Sequence, residues 1–557
     1  MFDRHFAVWP EGMPKHLVVP ATSLYTNLDV SAQRYPDQPA IIYYDSVLSY
    51  RQLREQVDAL AGALQAWGVE KGDRVLLYMQ NAPQFVIAYY AILRANAIVV
   101  PINPMNRGAE LTHYVRDTQA GVCLCGQEVL EQIAPLVGSE RLARVVVAAY
   151  SDYLPGKTDL ALPADVAEPA MPVNGPGLVT WAAALSAGHR PGALLVGPDD
   201  LAVFPYSSGT TGAPKGCMHS HRTVMATVVQ GALWGGSSRE SVTLATLPCF
   251  HVAGMQASMN TPIYVGAAMV LTTRWDRQTA ARLIERYRVR RWTCIATMVI
   301  DLLAFPELDR YDLSSLDNVG GGGAAVPAAV SDKLFERVGL RYMEAYGISE
   351  TMAGLHINPH GRPKPQCLGI PVFDVDSRII DPDRGVELGV GEVGEIITHA
   401  PQVFLGYWNR PTDTAEAFIT LEGKRFFRSG DLGYYDDEGY FFIVDRVKRM
   451  INASGFKVWP AEVESLMYSH PAIQESCVIS SPHERRGETV KACVVLADGH
   501  KGTVSEQDII EWCKERMAAY KVPHLIEFRD ALPRSPVGKV QWRAMQEQEW
   551  QGHTRPR

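Results

Sequence analysis

From Leu48 to Val69 the apolar residues Leu53, Val57, Leu60, Leu64 and Trp67 recur at spacings of three and four. That period gives a helix one buried face. Gly68 closes the pattern and a turn at Lys71-Gly72-Asp73 follows, a common helix ending. Residues 74–78 form a short continuous apolar run and read as a buried strand. Residues 82–94 read as a helix and 97–101 as the next strand. The alternation resumes with a helix at 222–233, a strand at 242–247, a helix at 278–287 and a strand at 292–296. Helices and strands alternating with short polar joints predict a layered α/β domain.

Between about 390 and 440 the texture changes to glycines, aromatics and short alternating runs such as Glu395-Ile396-Ile397-Thr398. This reads as a small β-rich subdomain. The last hundred or so residues look self-contained, with helices at 461–468 and 505–517 and strands at 475–479, 491–496 and 525–528. The predicted class is α/β: a large N-terminal domain of layered α/β sheets plus the β-rich subdomain over 1–447, then a small α+β domain over 448–557.

Composition narrows the function. A chain of 557 residues exceeds one ordinary core, so more than one domain is expected. The net charge of −8 argues against a general nucleic-acid binder, whose footprint is basic. The nine cysteines are scattered with no Cys-x-x-Cys pair, which suggests reduced thiols in the cytoplasm. The start, Met1-Phe2-Asp3-Arg4-His5, lacks the basic-then-apolar order of a signal peptide. No apolar run reaches transmembrane length. A soluble cytoplasmic protein is the expectation.

The strongest local signal is Tyr206-Ser207-Ser208-Gly209-Thr210-Thr211-Gly212-Ala213-Pro214-Lys215-Gly216. Interleaved hydroxyls and glycines let N–H and O–H groups converge on an anion, and Lys215 adds a point charge. It is not a GxxxxGK[ST] loop, because Gly216 stands where a Mg-binding hydroxyl is needed. The competing reading is a Ser/Thr/Gly surface loop. Four consecutive glycines, Gly320 to Gly323, precede Ala324 and Ala325. They cost backbone entropy and fit a flat ligand approaching the main chain, or else a tight turn. In Glu344-Ala345-Tyr346-Gly347-Ile348-Ser349-Glu350-Thr351, a ring can stack on a base, a hydroxyl can contact phosphate and a carboxylate can hold Mg²⁺.

This ordered set, continued by Leu247-Pro248-Cys249-Phe250-His251-Val252-Ala253-Gly254, Ser429-Gly430-Asp431, Asp445-Arg446-Val447-Lys448, Asn452-Ala453-Ser454-Gly455-Phe456-Lys457 and Pro533-Arg534-Ser535-Pro536-Val537-Gly538-Lys539, resembles the adenylate-forming superfamily, in particular its acyl-CoA synthetases and fatty-acid–CoA ligases. The resemblance implies that Ser207, Ser208, Gly209, Thr210, Thr211, Gly212 and Lys215 bind ATP phosphates. Gly323, Ala324 and Ala325 would face adenine and the acyl chain. Tyr346 would stack on adenine, with Glu344 and Gly347 beside it; Ser349, where the family more often has Thr, would contact the α-phosphate. Glu350 would bind Mg²⁺. Asp431 and Arg446 would hold ribose and phosphate, and Lys448 would be the hinge of a mobile C-terminal domain. Ser454, Gly455, Phe456 and Lys457 would line the pantetheine tunnel. Gly321, Gly322, His251, Val252 and Gly254 would line the acid pocket, although His251 reads equally as a packed core histidine. Lys539 is the first choice for a catalytic residue, entering the site during adenylation.

The implied reaction joins a carboxylic acid to coenzyme A through an acyl-adenylate, consuming ATP with Mg²⁺. A medium- or long-chain fatty acid is the first expectation; an aryl or a short branched or hydroxylated acid is the alternative, and loading of a carrier protein a third. A nonribosomal adenylation domain would want an acid near the Phe250-His251 position, and the residue there is His251. The partners are small molecules, without nucleic acid or a membrane span. Oligomeric state is unreadable, with a homodimer among the options.

Overall fold

Ser49 starts the first long helix, Tyr50–Ala66, with a capping box in which its hydroxyl accepts from the Gln52 amide, satisfying a donor that the first turn leaves open. Strand Arg74–Tyr78 matches the sequence reading residue for residue, and helix Pro83–Arg94 starts with proline at its first position, where no N–H is needed. The structure is a computed structural model that describes residues 2–207, 214–323, 326, 328–446, 449–453, 456–483, 487–497, 499–534 and 540–553. At 446, 452, 456, 457 and 487 it describes the backbone alone. Packing divides the chain into two units, Met1–Asp376 with Thr398–Phe427, and Ser377–Ile397 with Arg428–Arg557. The expected boundary at 447/448, with its hinge Lys448, lies outside the described residues.

The first unit is α/β, with two large sheets. One has seven strands in the order His219–Ser220, Leu201–Val203, Ile98–Pro101, Arg74–Tyr78, Val122–Gly126, Arg144–Ala148 and Leu178–Thr180. It is parallel except at its first pair. The other has nine, in the order Ile370–Pro371, Ala353–Ile357, Met343–Ile348, Asn318–Gly321, Arg291–Thr293, Val242–Ala245, Ala268–Leu271, Pro39–Tyr43 and Ser46–Ser49. Its centre is parallel and both ends are antiparallel. Parallel strands covered on both faces read as continuous apolar runs, which is why Val75 to Tyr78 show no alternation. Helix Pro83–Arg94 is buried on all sides up to Leu93. One core runs from Ile41 and Leu244 through Phe85, Ile87 and Ile92 to Leu77 and Val99.

In the first unit the segment 292–296 departs from the sequence reading. The strand expected at 292–296 is Arg291–Thr293, and Ala296 instead opens helix Ala296–Leu303. A short apolar run does not distinguish strand from helix by period alone. Here Val299, Leu302 and Leu303 are buried while Ile300 is exposed, a helical spacing.

The second unit contains an α+β fold. Strands Phe456–Val458, Ile451–Ala453, Gly487–Leu496 and Ile473–His483 form an antiparallel sheet, and Leu525–Phe528 joins Gly487–Leu496 in parallel. Val463 and Met467 of helix Pro460–Met467 and Ile509 of helix Glu506–Lys514 pack on Val478 and Val494. Helix Trp542–Glu549 was not foreseen; Met545 is its one fully apolar buried residue, which leaves little periodic signal.

Three glycines let strands of the nine-stranded sheet approach. A Cβ at Gly320 would lie 2.4 Å from the Met343 carbonyl oxygen, at Gly321 2.1 Å from that of Cys294, and at Gly322 2.3 Å from that of Ala345. Those neighbours are backbone and cannot swing aside. Gly320→Ala is therefore expected to destabilise the protein by ~1–3 kcal/mol, read as a lower denaturant midpoint. Buried imidazoles set a second expectation. Burial lowers the pKa of His219 and of His221 to about 4 from 6.5, and His221 Nδ1 accepts the Leu24 amide at 3.1 Å. Below 6.5 the unfolded chain takes up protons that the folded chain refuses, so the stability these groups contribute above that pH is lost as pH falls toward 4. Melting temperature should drop across that window, and less steeply in His221→Gln, which keeps an acceptor for Leu24.

Candidate functional site

Tyr206–Ser207 and Lys215–Gly216 pair antiparallel, with Lys215 opposite Ser207. Of the phosphate-loop candidates, Ser207 and Lys215 therefore sit opposite each other on a two-stranded hairpin. Ser208, Gly209, Thr210, Thr211 and Gly212 lie outside the described residues. The hairpin is pinned from beside and behind: the Tyr206 hydroxyl donates to Asp117 Oδ2 at 2.6 Å, and the Trp408 amide donates to the Gly216 carbonyl at 2.8 Å. Lys215 forms an ion pair with Asp413, and its ammonium stands 5.2 Å from the centre of the Tyr407 ring.

Tyr346, Gly347, Ser349 and Glu350 lie on strand Met343–Ile348 and the turn that follows it. Tyr346 packs its ring on its cross-strand partner His356, with centroids 5.5 Å apart. Met352 and Ala353 both take left-handed φ values, +46° and +77°, a strained pair of the kind found at functional turns. The turn folds back so closely that a Cβ at Gly347 would lie 1.7 Å from the Ala353 carbonyl oxygen. His219 Nε2 donates to the Ser349 carbonyl at 2.8 Å, and the Phe404 amide donates to the Glu350 carbonyl at 2.8 Å. The buried Glu350 carboxylate accepts the Tyr407 hydroxyl at 2.9 Å.

These contacts bring Lys215 and Glu350 to one residue, Tyr407, with the ammonium over its ring and the carboxylate at its hydroxyl; the sequence reading missed Tyr407 together with Asp413, His219 and Asn81. Lys215 and Asp413 are 198 residues apart, and no local pattern links them. Asn81 holds the segment 247–254: its amide donates to the Leu247 carbonyl at 2.9 Å, and its Oδ1 accepts the Cys249 amide at 2.7 Å. In that segment His251 Nδ1 accepts the Ala253 amide at 3.3 Å, Val252 is buried, and Gly254 stands where a Cβ would be 2.3 Å from the Pro248 carbonyl oxygen. Gly254 also opens a wide π-helix, Gly254–Asn260, a form common at functional sites.

The glycine run has a structural cause beside the ligand reason read from sequence, since neighbouring carbonyls already require Gly320, Gly321 and Gly322. Gly323 adopts φ +96°, while Ala324 and Ala325 lie outside the described residues. Glu344 has a similar internal role. Its two oxygens accept the Val326 amide at 2.8 Å and the Cys367 amide at 2.9 Å, which anchors the chain just beyond the glycines. Burial pushes this carboxyl above the usual carboxylate range.

In the second unit, Asp431 and Arg446 are cross-strand partners in a hairpin of Lys424–Tyr435 with Phe441–Arg446. Asp431 is fully buried. Ser454 and Gly455 lie outside the described residues, in the connection between paired strands Ile451–Ala453 and Phe456–Val458; the latter carries Phe456 and Lys457. Lys539 also lies outside them, between Arg534 and Val540, which form a single bridge. Among the described residues no three His, Cys, Asp or Glu side chains cluster as a protein-built metal site. Glu350, one buried carboxylate that shares Tyr407 with Lys215, fits magnesium, which is usually held by one or two carboxylates together with substrate phosphates. Among the described residues no helix is long and apolar enough to cross a membrane.

The family model of AMP-binding enzymes matches residues 28–408, and that of the AMP-binding enzyme C-terminal domain matches 462–539. A long-chain-fatty-acid–CoA ligase of Bacillus subtilis (strain 168) is 36% identical over 560 residues, covering 98% of each chain. A feruloyl-CoA synthase of Amycolatopsis sp is 33% identical over 511 residues, covering 91% of this chain and 95% of that one. Among solved structures, ATP-bound MatB from Rhodopseudomonas palustris matches with a TM-score of 0.83 at 26% identity, covering 95% of this chain and 99% of that one. The geometry around Glu350 and these likenesses agree, and the chain belongs to the AMP-binding enzyme family, as one of its ATP-dependent acyl-CoA synthetases.

Proposed function

We propose that the enzyme activates a medium- or long-chain fatty acid and transfers it to coenzyme A. The acid's carboxylate oxygen attacks the α-phosphorus of ATP, the bond to the β-phosphate bridging oxygen breaks, and pyrophosphate leaves. The thiol sulfur of CoA then attacks the acyl carbonyl, and the carbon–oxygen bond to AMP breaks. The observation that carries this reading is the convergence of Lys215 and Glu350 on Tyr407, beside a turn that also carries Ser349. A cation over the ring and an acid at its hydroxyl suit a polyphosphate and its counterion.

The residues then divide the work by position and charge. Ser207, Lys215 and the loop between them bind phosphates. Tyr346 covers adenine, Ser349 contacts the α-phosphate, and Asp431 with Arg446 holds ribose. Glu350 would hold magnesium, which would supply positive charge against the phosphate oxygens. Lys539 bridges the acid carboxylate and the phosphate in the first half-reaction, and the strip from Ser454 to Lys457 guides pantetheine in the second. Such an exchange calls for a domain over 448–557 that turns about Lys448 relative to 1–447. All nine cysteines are buried thiols, which supports a reducing compartment such as the cytoplasm.

The fatty-acid reading draws on the 36% identity to a long-chain-fatty-acid–CoA ligase. An aryl acid is the second reading, favoured by the 33% identity to a feruloyl-CoA synthase. A series of straight-chain acids separates them. In an apolar tunnel each added CH₂ contributes ~0.8 kcal/mol, so kcat/KM should climb about fourfold per methylene until the tunnel is full. A flat series, with hydroxycinnamic acids turned over faster, would overturn the fatty-acid assignment. Lys539→Ala should lower acid-dependent pyrophosphate release by roughly 10²-fold or more while leaving thioester formation from supplied acyl-AMP nearly intact. Equal loss of both half-reactions would sink the role given to Lys539.

A further inference from the structure

The segment from Phe404 to Thr414 is built as a rigid strap. Thr414 Oγ1 accepts the Tyr407 amide at 2.9 Å and donates to the Arg410 carbonyl at 2.8 Å. Gly406 lies so close beneath that a Cβ there would be 2.6 Å from the Thr414 side chain. Phe404 stacks edge-on against Tyr407, with centroids 4.8 Å apart. The strap is tied to the phosphate-loop hairpin through the amide–carbonyl bonds of Met218 with Gly406 and of Trp408 with Gly216. One side of it delivers the Tyr407 hydroxyl to Glu350, and the other delivers Asp413 to Lys215.

The Lys215 ammonium is thus already neutralised by a carboxylate. Its side chain is 17% exposed and that of Asp413 34%, so the pair is half withdrawn from water and is screened less than a surface pair. A polyphosphate arriving at the hairpin must compete with Asp413 for the same ammonium, and Asp413 takes the ammonium back as pyrophosphate leaves. We propose that Asp413 is a positioning residue that acts through Lys215, weakening the hold on β,γ-phosphates and so favouring pyrophosphate release. The proposal rests on the reading of Lys215 as a phosphate ligand.

Calorimetric titration of the full-length enzyme with inorganic pyrophosphate, and separately with AMP, in magnesium buffer tests it. Asp413→Asn should bind pyrophosphate about fivefold more tightly, the ~1 kcal/mol of a partly exposed ion pair, with AMP affinity unchanged. Asp413→Glu should stay near the parent. On a Lys215→Met background the Asp413→Asn gain should vanish. If the gain persists there, Asp413 acts by direct repulsion and the inference fails. It fails equally if pyrophosphate affinity does not rise, or if AMP tightens by the same factor. Should Lys215→Met alone leave pyrophosphate affinity unchanged, the fault lies in the phosphate-ligand reading itself.

Discussion

Carbonyl oxygens of Met343, Cys294 and Ala345 lie where Cβ atoms would stand on Gly320, Gly321 and Gly322. This backbone-to-backbone approach sets how deeply strand Met343–Ile348 seats in the nine-stranded sheet. The strand leads into the turn that presents Ser349 and Glu350. That turn in its own way needs Gly347, whose missing side chain admits the Ala353 carbonyl. Without these four glycines the neighbouring strands would separate, and the buried carboxylate would lose the register that aims it. Close packing of backbone leaves few alternatives, so a site built on it is held to a few tenths of an ångström.

Around this frame the polar groups are used in two different ways. Glu344 and Asn81 accept or donate to backbone atoms of neighbouring segments and so act as internal struts, where burial would otherwise leave amides unpaired. Lys215, Glu350 and Asp413 instead meet at Tyr407 and its strap. Tyr407 gathers the Glu350 carboxylate at its hydroxyl and the Lys215 ammonium over its ring, where Asp413 already pairs the ammonium and a third, multiply charged species would compete for it. Fixed charges arranged in advance need little reorganisation when such a species arrives.

Much of the architecture was legible in local patterns. The runs at 74–78 and 525–528 are strands with those limits, and the apolar stripe from Leu53 to Leu64 is a helix, because burial on one face or both dictates which residue types recur. The reading stumbled at Ala296, where a short apolar run suits either form, and at Trp542–Glu549, which has almost no stripe. Order along the chain carried the family resemblance, and the hairpin pairing Asp431 with Arg446 joins two of the segments that carry it.

What local sequence determined about this protein is therefore its α/β class, most of its elements and the chemical types gathered at the site, since periodicity and short motifs are local properties. It did not disclose that the glycine run is first a matter of strand packing, that Glu344 serves the fold, or that Tyr407 and Asp413 reach Glu350 and Lys215. Those are contacts between segments tens to hundreds of residues apart. Only tertiary structure decided them, because a side chain's partner is chosen by which backbones come to lie together and not by its neighbours along the chain.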